Sequence, residues 1–375
     1  MASPTSPKLF SRLILYAVIV AGVLRFSLWP PISFRSEVAA GSGALSYLEA
    51  IRNETLGTHA IFAISLPSRA DKRDNIILGS SIKGFHIEII DATTPEEIDA
   101  KTYPYNWNYD HRPVDILKER LASAIIMEDD ADWDVSIKSQ LQSFAIAVRA
   151  LQGAAVDTTG SSSSPYGDDW DILWLGHCGI ECSTDRPYYL TPADPTVPPP
   201  GHFLPYWRDP PPLARPDDAR MTCPITDGVC SIVYAVSFRG AQRILAALSV
   251  NPSGLAEQID IGAQFDVSLG RMCGAGYLRC FAPYPSLTGG YKSAGPAAKG
   301  SDINGPDDAM ESSNEELMQG PFSHGVMYST MLNVNQLLAG KQTVLATWDD
   351  VPIKEINPTE VGVLEGSVQM PRNSP

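Results

Sequence analysis

Five carboxylates lie within seven residues of this chain, directly after a short apolar run. They are Glu128, Asp129, Asp130, Asp132 and Asp134. Acidic side chains this close repel one another, so a positive charge is expected among them. Hard cations such as Mg²⁺ or Mn²⁺ prefer oxygen ligands and leave room for the phosphates of a substrate. The cluster therefore predicts a site for a divalent metal and a diphosphate.

The element that must position these acids is a predicted strand at 125–127. Its β-branched and apolar residues pack well on a pleated surface, and an open α/β sheet places its ligands beyond the carboxyl ends of its strands. An exposed acidic turn is the alternative. In that interpretation Asp134 caps a helix beginning near Ser136, and Asp132 stabilises the positive end of the same helix.

Strands alternate with helices along the rest of the chain. Strands are predicted at 60–66, 85–91, 172–175 and 231–236, and helices at 71–78, 137–151, 239–248 and 262–272. The proline-dense stretch 187–216 is predicted to be irregular. This alternation predicts an α/β fold with a mostly parallel sheet flanked by helices.

The composition is that of an acidic globular protein. Among 375 residues there are 28 basic and 43 acidic side chains, which gives a formal charge of −15. No basic stripe is present, so nucleic-acid binding through phosphate neutralisation is excluded. The 44% apolar content is sufficient for a large core.

The N-terminus is predicted to be a membrane anchor. Lys8 and Arg12 precede the apolar run 13–24, and Arg25 follows it. No small-residue cleavage site comes soon after, which favours an uncleaved signal anchor over a signal peptide. The positive flank predicts a single-pass type II protein of the Golgi or endoplasmic reticulum membrane, with its main domain in the lumen. Residues 1–32 are the tail and anchor, and 33–58 a stem.

Two features agree with a lumenal domain. Asn53 begins an N-glycosylation sequon, and the six cysteines all lie beyond residue 170. An even number of cysteines in an oxidising compartment predicts disulfides. His177, Cys178 and Cys182 suggest zinc as an alternative, but a second paired ligand motif at finger spacing is lacking.

In combination, several motifs resemble glycosyltransferase family 25, which includes bacterial lipooligosaccharide and procollagen galactosyltransferases. They are ISLPSR at 64–69, DKRD at 71–74, IMEDD at 126–130, WDILWLG at 170–176, VYAVS at 233–237 with RGA at 239–241, and FD at 265–266. The resemblance implies a GT-A-like, Rossmann-related domain at 59–300, followed by a loop-rich extension at 301–375. It also implies a metal-dependent, inverting transfer of a hexose, galactose above all, from a UDP-sugar to a glycan or glycoprotein.

The resemblance also implies roles for individual residues. Glu128 and Asp129, with Arg69 and Arg73 after the first strand, are expected to bind the donor. Asp130 and Asp132 are the expected ligands of Mn²⁺ or Mg²⁺. Asp266 is the expected general base, and Asp227 is its alternative.

One family feature is absent from the sequence. Members of the family carry a Gly-Cys-x-x-Ser-His-like element between the second strand and the acids, and here residues 110–113 run almost directly into 114–121. The alternative function is therefore a catalytically impaired lumenal scaffold or lectin-like protein that retains the glycosyltransferase fold. A calcium-binding protein is disfavoured because no Asp-x-Asp-x-Asp-Gly loop occurs.

Overall fold

The computed structural model describes residues 46–92, 121–153, 164–203, 215–250, 254–259, 264–296, 317–318 and 320–371. The predicted anchor at 1–32 lies outside these residues, as does the segment 93–120 that precedes the acids. Among the helices of the described residues, none combines the length and the apolar character needed to cross a membrane.

Helices and strands alternate through the first part of the chain and give way to short strands near the C-terminus. The helices are α1 (Ser46–Glu49), α2 (Ala70–Lys83), α3 (Ile137–Leu151), α4 (Phe238–Leu245), α5 (Leu255–Ile259), α6 (Phe265–Gly274) and α7 (Val334–Leu338). The first nine strands are β1 (Ala60–Ser65), β2 (Glu88–Asp91), β3 (Ser123–Glu128), β4 (Ala131–Trp133), β5 (Ile172–Gly176), β6 (Gly179–Cys182), β7 (Tyr188–Thr191), β8 (Arg220–Val229) and β9 (Val233–Ser237). The others are β10 (Cys280–Tyr284), β11 (Thr288–Lys292), β12 (Gly295–Pro296), β13 (Leu317–Met318), β14 (Phe322–His324), β15 (Val344–Leu345), β16 (Glu355–Ile356) and β17 (Ser367–Gln369).

The central sheet is mixed, with the order β17-β7-β8-β10-β5-β9-β3-β1-β2 and with β6 paired to β8. Strand β1 is parallel to β2 and β3, and β10 is parallel to β5. The remaining pairs of this sheet are antiparallel. Most strands therefore run in one direction, with β8, β9 and β17 opposed to them. The predicted α/β class is confirmed, but antiparallel β9 between β3 and β5 makes the sheet mixed.

The order in which successive strands join the sheet changes direction at β1. From β1 it passes through α2 to β2 on one side, whereas β3 joins the sheet on the other side of β1. Ile64 at the end of β1 lies in register with Glu128 at the end of β3. Such a switch point opens a crevice at the carboxyl ends of the two strands, where doubly wound α/β folds bind ligands.

Both faces of the sheet are buried. On one face Ile125 and Met127 of β3 join a core that includes Leu141 and Phe144 of α3. On the other face the core consists of β-strand residues and apolar residues of α6, among them Ile64, Ile126, Trp174, Tyr234, Phe265 and Leu269. Alternation along β3 thus directs Glu128 to the same face as Ile126, the face that α6 covers.

The folded domain extends beyond its predicted borders in both directions. Leu48, Ile51 and Leu56, which were assigned to the stem, are buried in the core. In the predicted C-terminal extension, β14 pairs with β11 and β17 pairs with β7. The described part of the extension is therefore integrated into the domain.

The proline-dense stretch contains a strand that the sequence prediction missed. Strand β7 is flanked by Pro187 and Pro192, and it pairs with β8 and β17. Strand β8 also contains Pro224, which lies opposite Phe281 of β10. Proline normally argues against a central strand because it donates no ladder hydrogen bond, which is why both strands were missed.

All six cysteines form disulfides, as predicted. The pairs are Cys178–Cys230, Cys182–Cys223 and Cys273–Cys280. Since Cys178 and Cys182 are both oxidised, the zinc alternative at this position is excluded. The first pair ties the residue after β8 to the segment between β5 and β6.

Candidate functional site

The acidic cluster begins where β3 ends and is held by backbone contacts on two sides. The N–H of Glu128 donates to the carbonyl of Ile232 at 2.9 Å, at the start of β9. The N–H of Tyr291 in β11 donates to the carbonyl of Asp130 at 2.7 Å. The acids therefore lie at the carboxyl edge of the sheet, at the crevice between β1 and β3.

The positive charge expected among the acids is provided by Lys72. Its Nζ lies 2.7 Å from Asp129 Oδ1 and 3.5 Å from Asp130 Oδ2. Counted over the whole residue, Lys72 and Asp129 are each only 8% exposed. Burial raises the pKa of Asp129, and the charge and hydrogen bond of Lys72 oppose that rise, together with a hydrogen bond from Ser65. Lys72 belongs to the first turn of α2, so the β1–α2 unit brings this cation to the end of β3.

Glu128 lies on the side of the cluster that faces Ser231 in the β8–β9 loop. Its Oε1 accepts a hydrogen bond from Ser231 Oγ at 3.3 Å. Burial, followed by the negative charge of Asp130, raises the pKa of Glu128 to about 8, although the charge of Lys72 opposes the shift. The protonated form of this side chain is therefore favoured more than that of an ordinary surface glutamate.

Asp266, the expected base, lies in the first turn of α6 and faces the same site. Its Oδ2 accepts the N–H of Cys230 at 2.7 Å, and its Oδ1 accepts the N–H of Val267 at 2.8 Å. Its negative charge also contributes to the raised pKa of Glu128, so the two acids share one environment. The structure thus brings Glu128, Asp129, Asp130 and Asp266 together.

The loop between β8 and β9 is held firmly at this site. Cys230 has a φ of 63°, a left-handed conformation that costs energy for a residue with a side chain. Three contacts restrain this residue. They are its disulfide to Cys178, the hydrogen bond that its N–H donates to Asp266, and the hydrogen bond that its carbonyl accepts from Trp174 Nε1 at 2.8 Å. The loop therefore forms a rigid wall that links Asp266 to Glu128 through Ser231.

Asp227, the alternative base, has different surroundings. It lies in β8 opposite Glu181 of β6, and its Oδ1 accepts the N–H of Gly228 at 2.8 Å. A side chain at Gly270 of α6 would collide with this same oxygen. Asp227 therefore lies under α6, and its contacts are separate from those that join Asp266 to the cluster.

The two arginines expected to bind the donor are both engaged in ion pairs. Arg69 contacts Asp71 through Nε at 3.0 Å and Nη2 at 3.1 Å, and this hydrogen bonding is the main cause that lowers the pKa of Asp71. Arg73 Nη2 donates to the carbonyl of Ser65 at 2.7 Å and to Asp91 Oδ1 at 2.8 Å. Arg73 thus fastens the end of β1 to the end of β2, and both arginines border the crevice.

The position of Asp132 argues against its expected role as a metal ligand. Its side chain is 0% exposed and lies in β4. Ser323 Oγ donates to Oδ2 at 2.7 Å, Ser329 Oγ donates to the same oxygen, and Trp133 N donates to Oδ1 at 2.9 Å. These donors use the oxygens that a metal would need, so Asp132 anchors the C-terminal segment to β4.

Asp134 also has a structural role, close to the capping role that was considered for it. Its Oδ1 accepts the N–H of Ser136 at 2.8 Å, and its Oδ2 accepts the N–H of Tyr328 at 3.0 Å. Ser136 itself is the N-cap residue of α3. Burial raises the pKa of Asp134 to about 7 despite these hydrogen bonds.

The donor set does not fit a divalent metal in this conformation. Across the described ranges, no group of three or more His, Cys, Asp and Glu side chains is placed to hold a metal ion. Asp129 and Asp130 both face the ammonium of Lys72, and Asp132 is directed into the interior. A second positive charge on the same carboxylates would be repelled by Lys72.

Three contributors to the site were not identified from the sequence: Lys72, Ser231 and His324. Burial lowers the pKa of His324 on β14, while the negative charge of Asp130 opposes the shift. The sequence did carry a signal for Lys72. Three basic residues in or next to the first turn of a helix, namely Arg69, Lys72 and Arg73, oppose the helix dipole and indicate a nearby anionic partner.

Comparison of the chain with protein-family models, with curated proteins and with solved structures gives no match.

Proposed function

We propose that this chain is a glycosyltransferase that moves a hexose, with galactose as the first candidate, from a UDP-sugar to a glycan or glycoprotein acceptor. The motifs that resemble glycosyltransferase family 25 and the GT-A-like arrangement that they imply are part of the basis. The sequence prediction of an uncleaved anchor extends the proposal to a type II protein of the Golgi or endoplasmic reticulum membrane. Three disulfides support an oxidising compartment for the folded domain.

The single observation that carries the proposal is the convergence of acids and bases at the β1–β3 switch point. Lys72 of α2 lies against Asp129 and Asp130 at the end of β3, and the arginines of the same helix turn border the crevice. The N-terminus of a helix favours anions, and α2, at 14 residues, begins at this crevice. A nucleoside diphosphate has the charge and length for such a position.

The proposed reaction is a single displacement. The acceptor hydroxyl attacks the anomeric carbon of the donor, its O–H proton passes to a carboxylate, and the bond from that carbon to the diphosphate oxygen breaks with its electron pair. Attack from the side opposite the leaving group inverts the configuration. Lys72, Arg69 and Arg73 would stabilise the charge that develops on the diphosphate.

Asp266 is the proposed general base. Two backbone N–H groups hold its carboxylate in a fixed orientation, and a carboxylate oxygen that accepts one hydrogen bond retains a second lone pair. Glu128 is less suited because burial favours its protonated form.

The test is calorimetric titration of the full chain, purified in detergent, with UDP, UDP-galactose, UDP-glucose and GDP-mannose. Each titration is run in Mn²⁺ and in EDTA, and repeated with the Asp130→Asn variant. Binding of UDP and one UDP-sugar supports the proposal and leads to an acceptor screen, and a change of affinity in the variant supports a ligand position next to Asp130. A folded protein that binds none of the four ligands would overturn it.

One observation favours the alternative of a scaffold or lectin-like protein. The acids that would serve the donor are already neutralised by a residue of the same chain, as Lys72 shows with Asp129 and Asp130. A scaffold that had lost its donor would be stable with such an internal pair. Glycan-array binding by the full chain, without any affinity for UDP, would favour this alternative over the transferase.

A further inference from the structure

The acidic cluster and its lysine have a consequence for cofactor use. We propose that Lys72 replaces the divalent cation of this site, so that the protein binds its anionic ligand without a metal ion. The nature of that ligand, a nucleoside diphosphate, rests on the proposed function. That Lys72 occupies the acids is independent of the proposed function.

The distances place the ammonium where a metal would have to bind. Lys72 Nζ lies 2.7 Å from Asp129 and 3.5 Å from Asp130, so it contacts both adjacent carboxylates. A Mg²⁺ or Mn²⁺ ion bonded to either carboxylate at about 2.1 Å would lie within a few ångströms of the ammonium. Their mutual repulsion makes the two cations competitors for the same oxygens.

Burial makes this competition unequal. The Lys72 side chain is 10% exposed and that of Asp129 is 11% exposed. Separating two buried charges leaves each without its partner in a poorly solvated place. A metal would therefore have to displace an ion pair that the fold has already formed. At a solvent-exposed acidic cluster it would displace only water.

The other acids of the cluster add few ligands. Asp132 is directed into the interior, where the hydroxyls of Ser323 and Ser329 donate to it. Glu128 faces Ser231. This leaves Asp129 and Asp130, the two carboxylates that Lys72 contacts.

The same position allows Lys72 to act on a phosphate. It belongs to the turn of α2 that begins at the crevice, next to Arg69, so its positive charge and the helix N-terminus reinforce each other. An ammonium is a compact point charge, so it attracts a nearby phosphate through its charge as well as through its hydrogen bonds. In this arrangement the protein itself supplies the cation between its acids and the ligand.

The first test measures Mn²⁺ binding to the full chain. The electron paramagnetic resonance signal of free Mn²⁺ reports how much of the ion remains unbound. Wild type and Lys72→Arg are expected to bind no Mn²⁺ at this site. Lys72→Met is expected to gain one Mn²⁺ site, because the repelling charge has gone. Adding Asp130→Asn to Lys72→Met should abolish the gain.

The matched control is Lys138→Met, the same substitution at a lysine whose Nζ donates to the carbonyls of Arg52 and Gly84. It should leave Mn²⁺ affinity unchanged. The proposal is overturned if the wild type binds one Mn²⁺ that Asp130→Asn removes. It is also overturned if folded Lys72→Met shows no gain.

A second test needs no lysine variant, in case Lys72→Met does not fold. UDP is titrated into the wild-type chain in EDTA and in Mn²⁺. Equal affinities support the replacement of the metal by Lys72, and binding that requires Mn²⁺ overturns it. If UDP binds in neither buffer, the proposed function fails, while the comparison of Mn²⁺ binding by wild type and Asp130→Asn still decides the role of Lys72.

Discussion

The carboxylate of Asp266 accepts the backbone N–H of Cys230 at 2.7 Å, across 36 positions of the chain. This hydrogen bond joins the first turn of α6 to the loop that precedes β9. The same loop presents Ser231 to Glu128, so the base candidate and the acidic cluster are fixed relative to each other. A side chain that only capped its own helix would have no such partner.

The assignment of Asp266 as base predicts a loss of turnover without a comparable loss of stability in Asp266→Asn. The amide keeps one acceptor oxygen and the same shape but cannot take up a proton. UDP-sugar turnover should fall by about 10²-fold or more, as expected for removal of a general base. The measurement is steady-state turnover of the UDP-sugar that binds in calorimetry.

Asp227→Asn is the matched control for this experiment. It removes the same charge from the alternative base, whose Oδ1 accepts the N–H of Gly228. Turnover should stay within about threefold of wild type, since the contacts of Asp227 are separate from the cluster. The reverse order of effects would transfer the role of base to Asp227.

The Cys178–Cys230 disulfide is expected to contribute more stability than Cys273–Cys280. The first closes a separation of 52 residues and the second a separation of 7. Chain-entropy reasoning then gives about 4 kcal/mol for the first pair and about 2 kcal/mol for the second. Urea denaturation of the Cys178→Ala/Cys230→Ala and Cys273→Ala/Cys280→Ala variants compares the two free energies of unfolding. Equal losses would contradict the dependence of the stabilisation on loop length.

The elements that the sequence predicted well are those specified by local patterns. Apolar runs identified β1, β3 and β5 to within a few residues, and helical spacing gave α3 its full length. Helix α2 extends further than predicted, and Gly84 ends it in a left-handed conformation with a φ of 65°. These features depend on neighbours in the chain, which a sequence displays directly.

The parts that were missed depend on distant partners. Strand β4 lies inside the acidic cluster because β11 pairs with it, with Asp132 opposite Gly289. Nothing in the residues around Asp132 indicates that hydroxyls almost two hundred positions away will surround it. Hence the sequence identified a cluster of acids but not which of them face the crevice.

Glu128 should make the stability of the protein decrease as pH rises. Its pKa is about 8 in the folded state, above the unfolded value of about 4.3. Its contribution is therefore fully present below the unfolded pKa and is lost as pH rises through the folded pKa. Between these limits the effect is at most about 1.4 kcal/mol per pH unit. Relative to wild type, Glu128→Gln should gain free energy of unfolding between pH 5 and pH 8 in urea titrations. A constant difference between the two proteins would contradict the raised pKa.

His177 should have the opposite effect on stability. Burial lowers its pKa to about 4, and its Nε2 lies 2.8 Å from the carbonyl of Pro283. Between pH 4 and 6.5 the unfolded chain binds the extra proton, so stability falls as pH decreases through this interval. His177→Asn should reduce that acid sensitivity, and the same substitution at exposed His86 should not. If both variants retain the full slope between pH 6.5 and 4.5, the acid sensitivity has another origin.

Substitutions of Asp132 and of Asp130 should affect different properties, although the two residues lie only two positions apart. Changing Asp132 should affect the stability of the fold, and changing Asp130 should affect ligand binding. Asp132→Ala leaves two buried hydroxyls and the N–H of Trp133 without their acceptor, which should cost about 3 kcal/mol or more. Asp130→Asn changes a side chain that is 26% exposed, and Lys72 keeps its closer partner Asp129. Its cost should stay within about 1 kcal/mol. Urea denaturation measures both, and limited proteolysis should cut the segment containing Ser323 and Ser329 faster in Asp132→Ala alone. Similar losses in the two variants would mean that Asp130 is as deeply involved in the fold as Asp132, and its assignment to the crevice would be wrong.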